Sequence, residues 1–97
     1  MIINSYGMTY DVEPVRLTYL NGNLCVRLMC KTGEPFGTLT KNLDFKLAEN
    51  EAYVDTNNIP DAERFIKDNN LGVRLKKIGR SGFCEYPLYQ FDLGVIK

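Results

Sequence analysis

The chain has 97 residues, no formal net charge, and 44% hydrophobic and 25% charged residues. This length predicts one domain with one hydrophobic core, and the composition excludes a wholly disordered chain. Zero net charge gives no overall attraction to nucleic acid. Histidine is absent, which excludes a nucleophile activated by imidazole and an ordinary catalytic zinc site.

Several features predict a cytoplasmic protein with no membrane partner. No apolar run approaches the roughly 20 residues of a membrane-spanning helix. The first residues have neither the basic start nor the apolar run of a secretory signal. The three cysteines, Cys25, Cys30 and Cys84, are odd in number and irregularly spaced, as free thiols are. Cys25 and Cys30 point to opposite faces of one predicted strand, so they cannot share a metal ion or a disulfide.

The first elements in chain order are strands. Alternating apolar residues predict strands over 6–12 and 15–19, with an interruption at Pro14. The dipeptide Asn21-Gly22 then predicts a β-hairpin with a two-residue turn. Such a turn pairs apolar residues on one buried face. The predicted pairs are Val15 with Leu28, Leu17 with Val26, and Tyr19 with Leu24.

The same register places two like charges opposite each other on the other face, Arg16 and Arg27. Like charges directly across a ladder are unfavourable unless both side chains reach water or hold an anion between them. We expect the two side chains to be solvated.

Further strands are predicted after the hairpin. A turn over 31–35 precedes a strand over 36–43, and the polar loop from Asp44 to Asn50 leads to a short strand over 52–54. Two more strands are predicted over 73–78 and 83–93, joined by a turn at 79–82. The Tyr86–Pro87 bond allows either isomer, and the tail from Gly94 to Lys97 is expected to fray.

One segment predicts a helix, at about residues 59–69. Ala62, Phe65 and Ile66 form an apolar stripe with charged residues opposite. Asn57 or Asn58 is expected to cap the first turn. At the other end, Asn69 or Asn70 can adopt the left-handed conformation, and Leu71 can fold back towards Ile66 as in a Schellman ending.

The order of these elements predicts an α+β domain that spans residues 1–97. We expect a largely antiparallel sheet of roughly five to seven strands, with the helix packed on one face, because a sheet with one apolar face needs a second layer. The apolar face of the hairpin should contact Ala62, Phe65 and Ile66. A partly open barrel with the helix at one end is the alternative.

Three blocks of the chain carry a resemblance: residues 33–43 (GEPFGTLTKNL), 54–58 (VDTNN) and 81–89 (SGFCEYPLY). With the helix between them, they resemble a family of small bacterial proteins known only as a domain of unknown function. Its members often occur on conjugative or other mobile elements. The resemblance implies a bacterial cytoplasmic protein, and it implies no activity and no site residues.

The densest polar cluster is the segment that contains Asp55, Asn57 and Asn58. Oxygen ligands of this kind suit Ca²⁺ or Mg²⁺, but the remaining acidic positions and the glycine of an EF-hand loop are missing. The favoured interpretation is an Asx-turn followed by a helix cap. An anionic ligand group at the helix N-terminus is a third possibility.

Basic residues suggest a second kind of site. Arg74, Lys76, Lys77 and Arg80 occur between two glycines with no acid among them. With Arg16 and Arg27, and with aromatic residues nearby, they could contact phosphates and stack bases. Solvated basic side chains and buried aromatic ones are the commoner outcome.

The turn that contains Ser81 and Cys84, followed by Tyr86, is a third candidate. Without histidine, a nucleophile there would need a lysine with a strongly lowered pKa as its base, so we expect no enzymatic activity. We expect no cofactor and no metal. The leading hypothesis is a non-catalytic binding or accessory module that acts through a protein partner, at an exposed sheet edge or at residues 81–89. Nucleic-acid binding is the alternative, and a metal or enzymatic site around Asp55 is the second alternative.

Overall fold

A computed structural model describes residues 1–43 and 45–96 of the chain. Asp44, at the start of the predicted polar loop, and Lys97, at the end of the predicted tail, lie outside the described residues. The elements are β1 (Ile2–Ser5), β2 (Met8–Thr18), β3 (Leu24–Cys30), β4 (Pro35–Thr38), β5 (Thr40–Lys41), β6 (Glu51–Val54), α1 (Ala62–Asp68), β7 (Gly72–Ser81) and β8 (Cys84–Phe91).

The described strands form two antiparallel sheets, with the orders β1-β2-β3-β4 and β5-β6-β8-β7. The predicted α+β class is therefore confirmed, with eight strands and one short helix among residues 1–43 and 45–96. Leu39 joins the sheets, because its N–H donates to the Val26 carbonyl and its carbonyl accepts from the Asp55 N–H. The two sheets do not close into a barrel.

The hairpin β2–β3 forms, but its predicted register is wrong by one residue. The loop contains three residues, 20–22, because Tyr19 N–H donates to the Asn23 carbonyl and Gly22 N–H donates to the Tyr19 carbonyl. Gly22 has a φ of +90°, as in a hairpin with a type I turn and a bulge. The buried Asn23 side chain fixes this geometry, since it donates to the Phe45 carbonyl at 2.6 Å and accepts from the Leu47 N–H.

The shifted register changes which residues are buried. Leu24, Val26 and Leu28 face the core as predicted, whereas Leu17 remains 37% exposed. Arg16 lies opposite Val26, and Arg27 lies opposite Val15. The prediction that the two arginines face each other is therefore wrong.

The sequence predicted an interruption of the strand at Pro14, and this prediction is wrong. It lies within β2, where it pairs with Leu28. Val12, two residues earlier, donates its N–H towards the β1 side, to the Met1 carbonyl. Pro14 has the same orientation, so its nitrogen, which lacks an N–H, faces away from β3 and the β2–β3 ladder loses no hydrogen bond. The Tyr86–Pro87 peptide bond is trans.

The helix α1 ends as predicted but begins differently. Asn70 has a φ of +53°, Leu71 N–H donates to the Ile66 carbonyl, and Asn70 N–H donates to the Lys67 carbonyl. These two bonds are those of a Schellman ending. The predicted cap by Asn57 or Asn58 is wrong, because α1 starts at Ala62 after a further turn.

Asp61 occupies the cap position of α1, and its side chain makes no cap bond. Its carboxylate instead accepts from the Asn4 backbone N–H and binds Arg64. The Arg64 guanidinium also donates to the Ile2 carbonyl and pairs with Asp68. The hydrogen bond from Arg64 holds the pKa of Asp61 below its usual value. This network ties α1 to the outer edge of β1.

The main core lies between the sheets and the helix. Ala62, Phe65 and Ile66 are fully buried in it, together with Leu24, Val26 and Leu28 from β3. The helix and β3 therefore contribute to the same core, and the direct contact between helix and hairpin stays a prediction. The tail contributes as well, since Ile96 is 2% exposed and belongs to the same cluster. The expected fraying is therefore wrong as far as Ile96.

Candidate functional site

A cleft of about 540 Å³ opens at one end of the first sheet. It is bounded by the end of β1, the start of β2, the end of β3, β4 and the segment 55–60. Its lining residues are Asn4, Ser5, Tyr10, Cys30, Glu34, Pro35, Phe36, Gly37, Thr38, Asp55, Asn58, Ile59 and Pro60. The volume is in the usual range of ligand sites in proteins, about 300–1,000 Å³.

Asp55 and Asn58 line one side of the cleft. Asp55 is 6% exposed. Its carboxylate accepts from the Asn58 backbone N–H at 3.1 Å and from the Asn58 side-chain amide at 2.9 Å. Its own carbonyl accepts from the Ile59 N–H. The expected bond from this carboxylate to a nearby backbone N–H is therefore present, but it spans three residues, one more than in the predicted Asx-turn. Asn57 is exposed and does not line the cleft.

Aromatic rings form another part of the cleft wall. The rings of Tyr10 and Phe36 lie with their centroids 5.1 Å apart and are tilted by 58°. The Tyr10 hydroxyl contacts the sulfur of Met8, a residue that is 61% exposed beside the cleft. Both rings are half-buried and pack against the main core. The cleft therefore combines a rigid apolar wall with polar groups, as small-ligand and peptide sites do.

The charge of the cleft is negative. Glu34 and Asp55 both line it, and no lysine or arginine is among its described lining residues. The sequence had identified Asp55 and Asn58 but missed Glu34, Tyr10 and Phe36. Residues 33–38 and 55–58 belong to two of the three blocks that carry the family resemblance. The resemblance could therefore have indicated that these two segments lie at one site.

The edge of β4 opens onto this cleft. Within the described chain, β4 pairs with β3 alone. On its other side lies the segment 55–60: the Asp55 N–H donates to the Leu39 carbonyl just after β4, and a Cβ atom at Gly37 would be 3.8 Å from Ile59 Cδ1. No described strand pairs with this side of β4, so the outer edge of β4 borders the cleft.

The other predicted binding residues lie elsewhere. Ser81 and Cys84 pair across the turn of the β7–β8 hairpin, where Gly82 has a φ of +61°. Tyr86 is 4% exposed in a second core cluster with Leu43, Tyr53 and Leu88. None of the three lines the cleft, so the structure does not bring them together with Asp55.

The basic residues do not form one continuous surface. Arg16 and Arg27 pair with adjacent positions of the opposite strands and so lie on opposite faces of the β2–β3 ladder. Three arginines bind glutamates: Arg16 pairs with Glu49, Arg74 with Glu63, and Arg80 with Glu85. Glu63 also accepts a hydrogen bond from the Tyr89 hydroxyl, whose pKa is raised by burial and by this bond.

Lys76 and Lys77 lie on an irregular part of β7. Between the pairs Arg74–Tyr89 and Ile78–Pro87, these two lysines and Leu75 face a single residue of β8. Such a bulge, together with lysine side chains, is a common protection of an exposed sheet edge. The edge of β7 is therefore less suited than that of β4 to pair with another strand.

In the part of the chain that the structure describes, no three histidine, cysteine, aspartate or glutamate side chains are placed to hold a metal ion. No helix there has the length and apolar character needed to cross a membrane.

The chain is similar to a protein family of unknown function. A family model described as "Domain of unknown function (DUF4313)" matches residues 15–97. The searches of curated proteins and of solved structures found no match. The match includes all three blocks on which the resemblance depends, and it names no activity, ligand or partner.

Proposed function

We propose that this chain, which belongs to the DUF4313 family, is a non-catalytic binding module that takes an extended segment of a protein partner along β4. The observation that supports this proposal is the position of β4 at the end of its sheet, where it pairs with β3 alone among the described strands, beside a cleft of about 540 Å³. An added strand gains affinity from main-chain hydrogen bonds, and the cleft accepts its side chains.

The other sheet edges support the choice of β4. At the edge of β1, the Asn4 N–H and the Ile2 carbonyl are already bonded to Asp61 and Arg64. At the edge of β7, the bulge at Lys76 and its neighbours interrupts the regular ladder. Both features oppose the addition of a strand. In β4 no described side chain bonds the outer backbone groups, and its irregularity lies at its start, between the pairs Leu28–Gly37 and Met29–Pro35.

A selection with a display library of random linear peptides tests this proposal. We expect the wild-type protein to enrich peptides that bind it in solution, as measured by fluorescence anisotropy. The variant Ser5→Trp places a large side chain in the cleft and should abolish this binding. The matched control is Thr9→Trp, because Thr9 lies on the opposite face of the same sheet and does not line the cleft.

Two outcomes of the selection would contradict the proposal. The first is that no peptide is enriched over an unrelated protein. The second is that Ser5→Trp, with an unchanged circular dichroism spectrum, binds the enriched peptides as tightly as Thr9→Trp does.

The alternatives have less support. Nucleic-acid binding stays a prediction. It has less support because three of the six basic residues pair with glutamates, and two of the six lie on opposite faces of the β2–β3 ladder. Salt-dependent binding of single-stranded DNA would favour it. A metal or enzymatic site around Asp55 also stays a prediction, because Glu34 supplies a second carboxylate in the cleft. A titration with Ca²⁺ or Mg²⁺ tests it. The mobile-element context and the cytoplasmic location implied by the resemblance are predictions as well.

A further inference from the structure

We propose that the segment bound along β4 presents an arginine or lysine side chain, whose cationic group enters the cleft between Glu34 and Asp55. This inference rests on the proposed function, and it adds the chemical class of the group that is recognised. Three independent features carry it: the charge of the cleft, the remaining acceptor capacity of Asp55, and the aromatic pair.

The charge of the cleft selects a cation. Glu34 and Asp55 supply two carboxylates, and the described lining contains no lysine or arginine to neutralise them. Asp55 is 6% exposed, so its carboxylate is largely shielded from water. Charges interact more strongly in such a place than on an open surface. An anionic segment would be repelled by both groups.

The hydrogen bonds of Asp55 leave room for a donor. Each of its carboxylate oxygens accepts one bond, in both cases from Asn58. A carboxylate oxygen can accept two. The Asn58 bonds hold the carboxylate in a fixed orientation, and a guanidinium or ammonium group can supply the further donors that this orientation allows.

The aromatic pair suits the remainder of the same side chain. The faces of the Tyr10 and Phe36 rings can attract a cation that lies within about 6 Å of a ring centroid. Phe36, Pro35 and Ile59 offer apolar surface for the methylene groups of an arginine or lysine stem. A neutral polar side chain would use neither the charge nor the rings.

The test uses the peptides that the selection enriches. We expect them to contain an arginine or lysine, and replacement of that residue by the uncharged analogue citrulline or by norleucine should weaken binding about tenfold. Glu34→Gln, which removes a charge from an exposed position of the cleft, should weaken the same peptides about fivefold, the change that corresponds to about 1 kcal/mol. Glu85→Gln, outside the cleft, is the matched control and should leave the affinity unchanged.

The outcomes separate this inference from the proposed function. One outcome would overturn the inference and leave the proposed function standing. In that outcome the enriched peptides lack a basic residue and bind Glu34→Gln as tightly as the wild type, but they do not bind Ser5→Trp. Peptides that bind Ser5→Trp and Thr9→Trp equally well, or no enriched peptides at all, would overturn both.

Discussion

Gly79 is the position where a single methyl group should have the largest effect in the second core cluster. A Cβ atom at this residue would lie 2.6 Å from Tyr53 Cε1 and 2.6 Å from Leu43 Cδ1. Carbon atoms in favourable contact lie about 3.5–4.0 Å apart. Tyr53 is 1% exposed and has little space into which to move. Gly79→Ala should therefore force the ring or the strand to shift.

The size of the effect follows from the packing. Overpacking of a filled core typically costs about 1–3 kcal/mol, and a domain of this length has a free energy of unfolding of about 5–15 kcal/mol. Gly37→Ala is the matched control, because its Cβ would lie 3.8 Å from Ile59 Cδ1, an ordinary contact. That variant should be neutral or more stable by up to about 1 kcal/mol, since alanine restricts the unfolded chain.

Urea denaturation followed by circular dichroism measures both variants. We expect a lower midpoint for Gly79→Ala with an unchanged slope. Adding Tyr53→Leu should remove most of the extra cost of Gly79→Ala, with a coupling energy above about 0.5 kcal/mol. The reasoning is refuted if Gly79→Ala unfolds at the same urea concentration as Gly37→Ala.

Three further predictions concern single side chains. Arg64 holds the pKa of Asp61 below its usual value. The contribution of Asp61 to stability is therefore present above the unfolded pKa of about 4, and it is lost as the pH falls through the lower folded pKa. Asp61→Asn should reduce this acid sensitivity in urea titrations at several pH values, and an unchanged pH profile would contradict the prediction. The buried hydroxyl of Tyr53 has no hydrogen-bond partner among the described residues, so Tyr53→Phe should leave the melting temperature unchanged or raise it, and a fall equivalent to more than about 1 kcal/mol would show a partner. Asn70 has a positive φ, so Asn70→Gly should be tolerated while Asn70→Ala should cost about 1 kcal/mol in thermal unfolding, and equal stabilities would refute this.

Local signals predicted local structure. The end of α1 was predicted correctly because Asn70, Leu71 and Ile66 are close in sequence and their two bonds depend only on that segment. The start was not, because the Asp61 carboxylate binds Asn4 and Arg64 instead of capping the helix. A partner 57 residues away in sequence leaves no local pattern.

The hairpin illustrates the same limit. The dipeptide Asn21-Gly22 located the turn, but the number of loop residues depends on Asn23, whose side chain binds the backbone at Phe45 and Leu47. Asparagine is common beside turns, so Asn23 did not indicate that the loop has three residues instead of two. One residue of shift then exchanged the faces of β2.

The cleft was the least predictable part. Asp55 and Asn58 were identified because they lie in one short polar segment, and a turn between them is present as predicted. Tyr10 and Phe36 lie in β2 and β4, and Glu34 lies just before β4, yet all three line the cleft with Asp55 and Asn58. Segments so far apart in the sequence meet through the packing of the whole domain, and no local pattern encodes that.

Leu39 couples the two sheets through its backbone. Its backbone spans both sheets, and its side chain is fully buried. A large rotation of one sheet against the other would strain these two bonds. We therefore expect the two sheets to melt in a single transition, and the amide proton of Leu39 to exchange with solvent only when the whole chain unfolds.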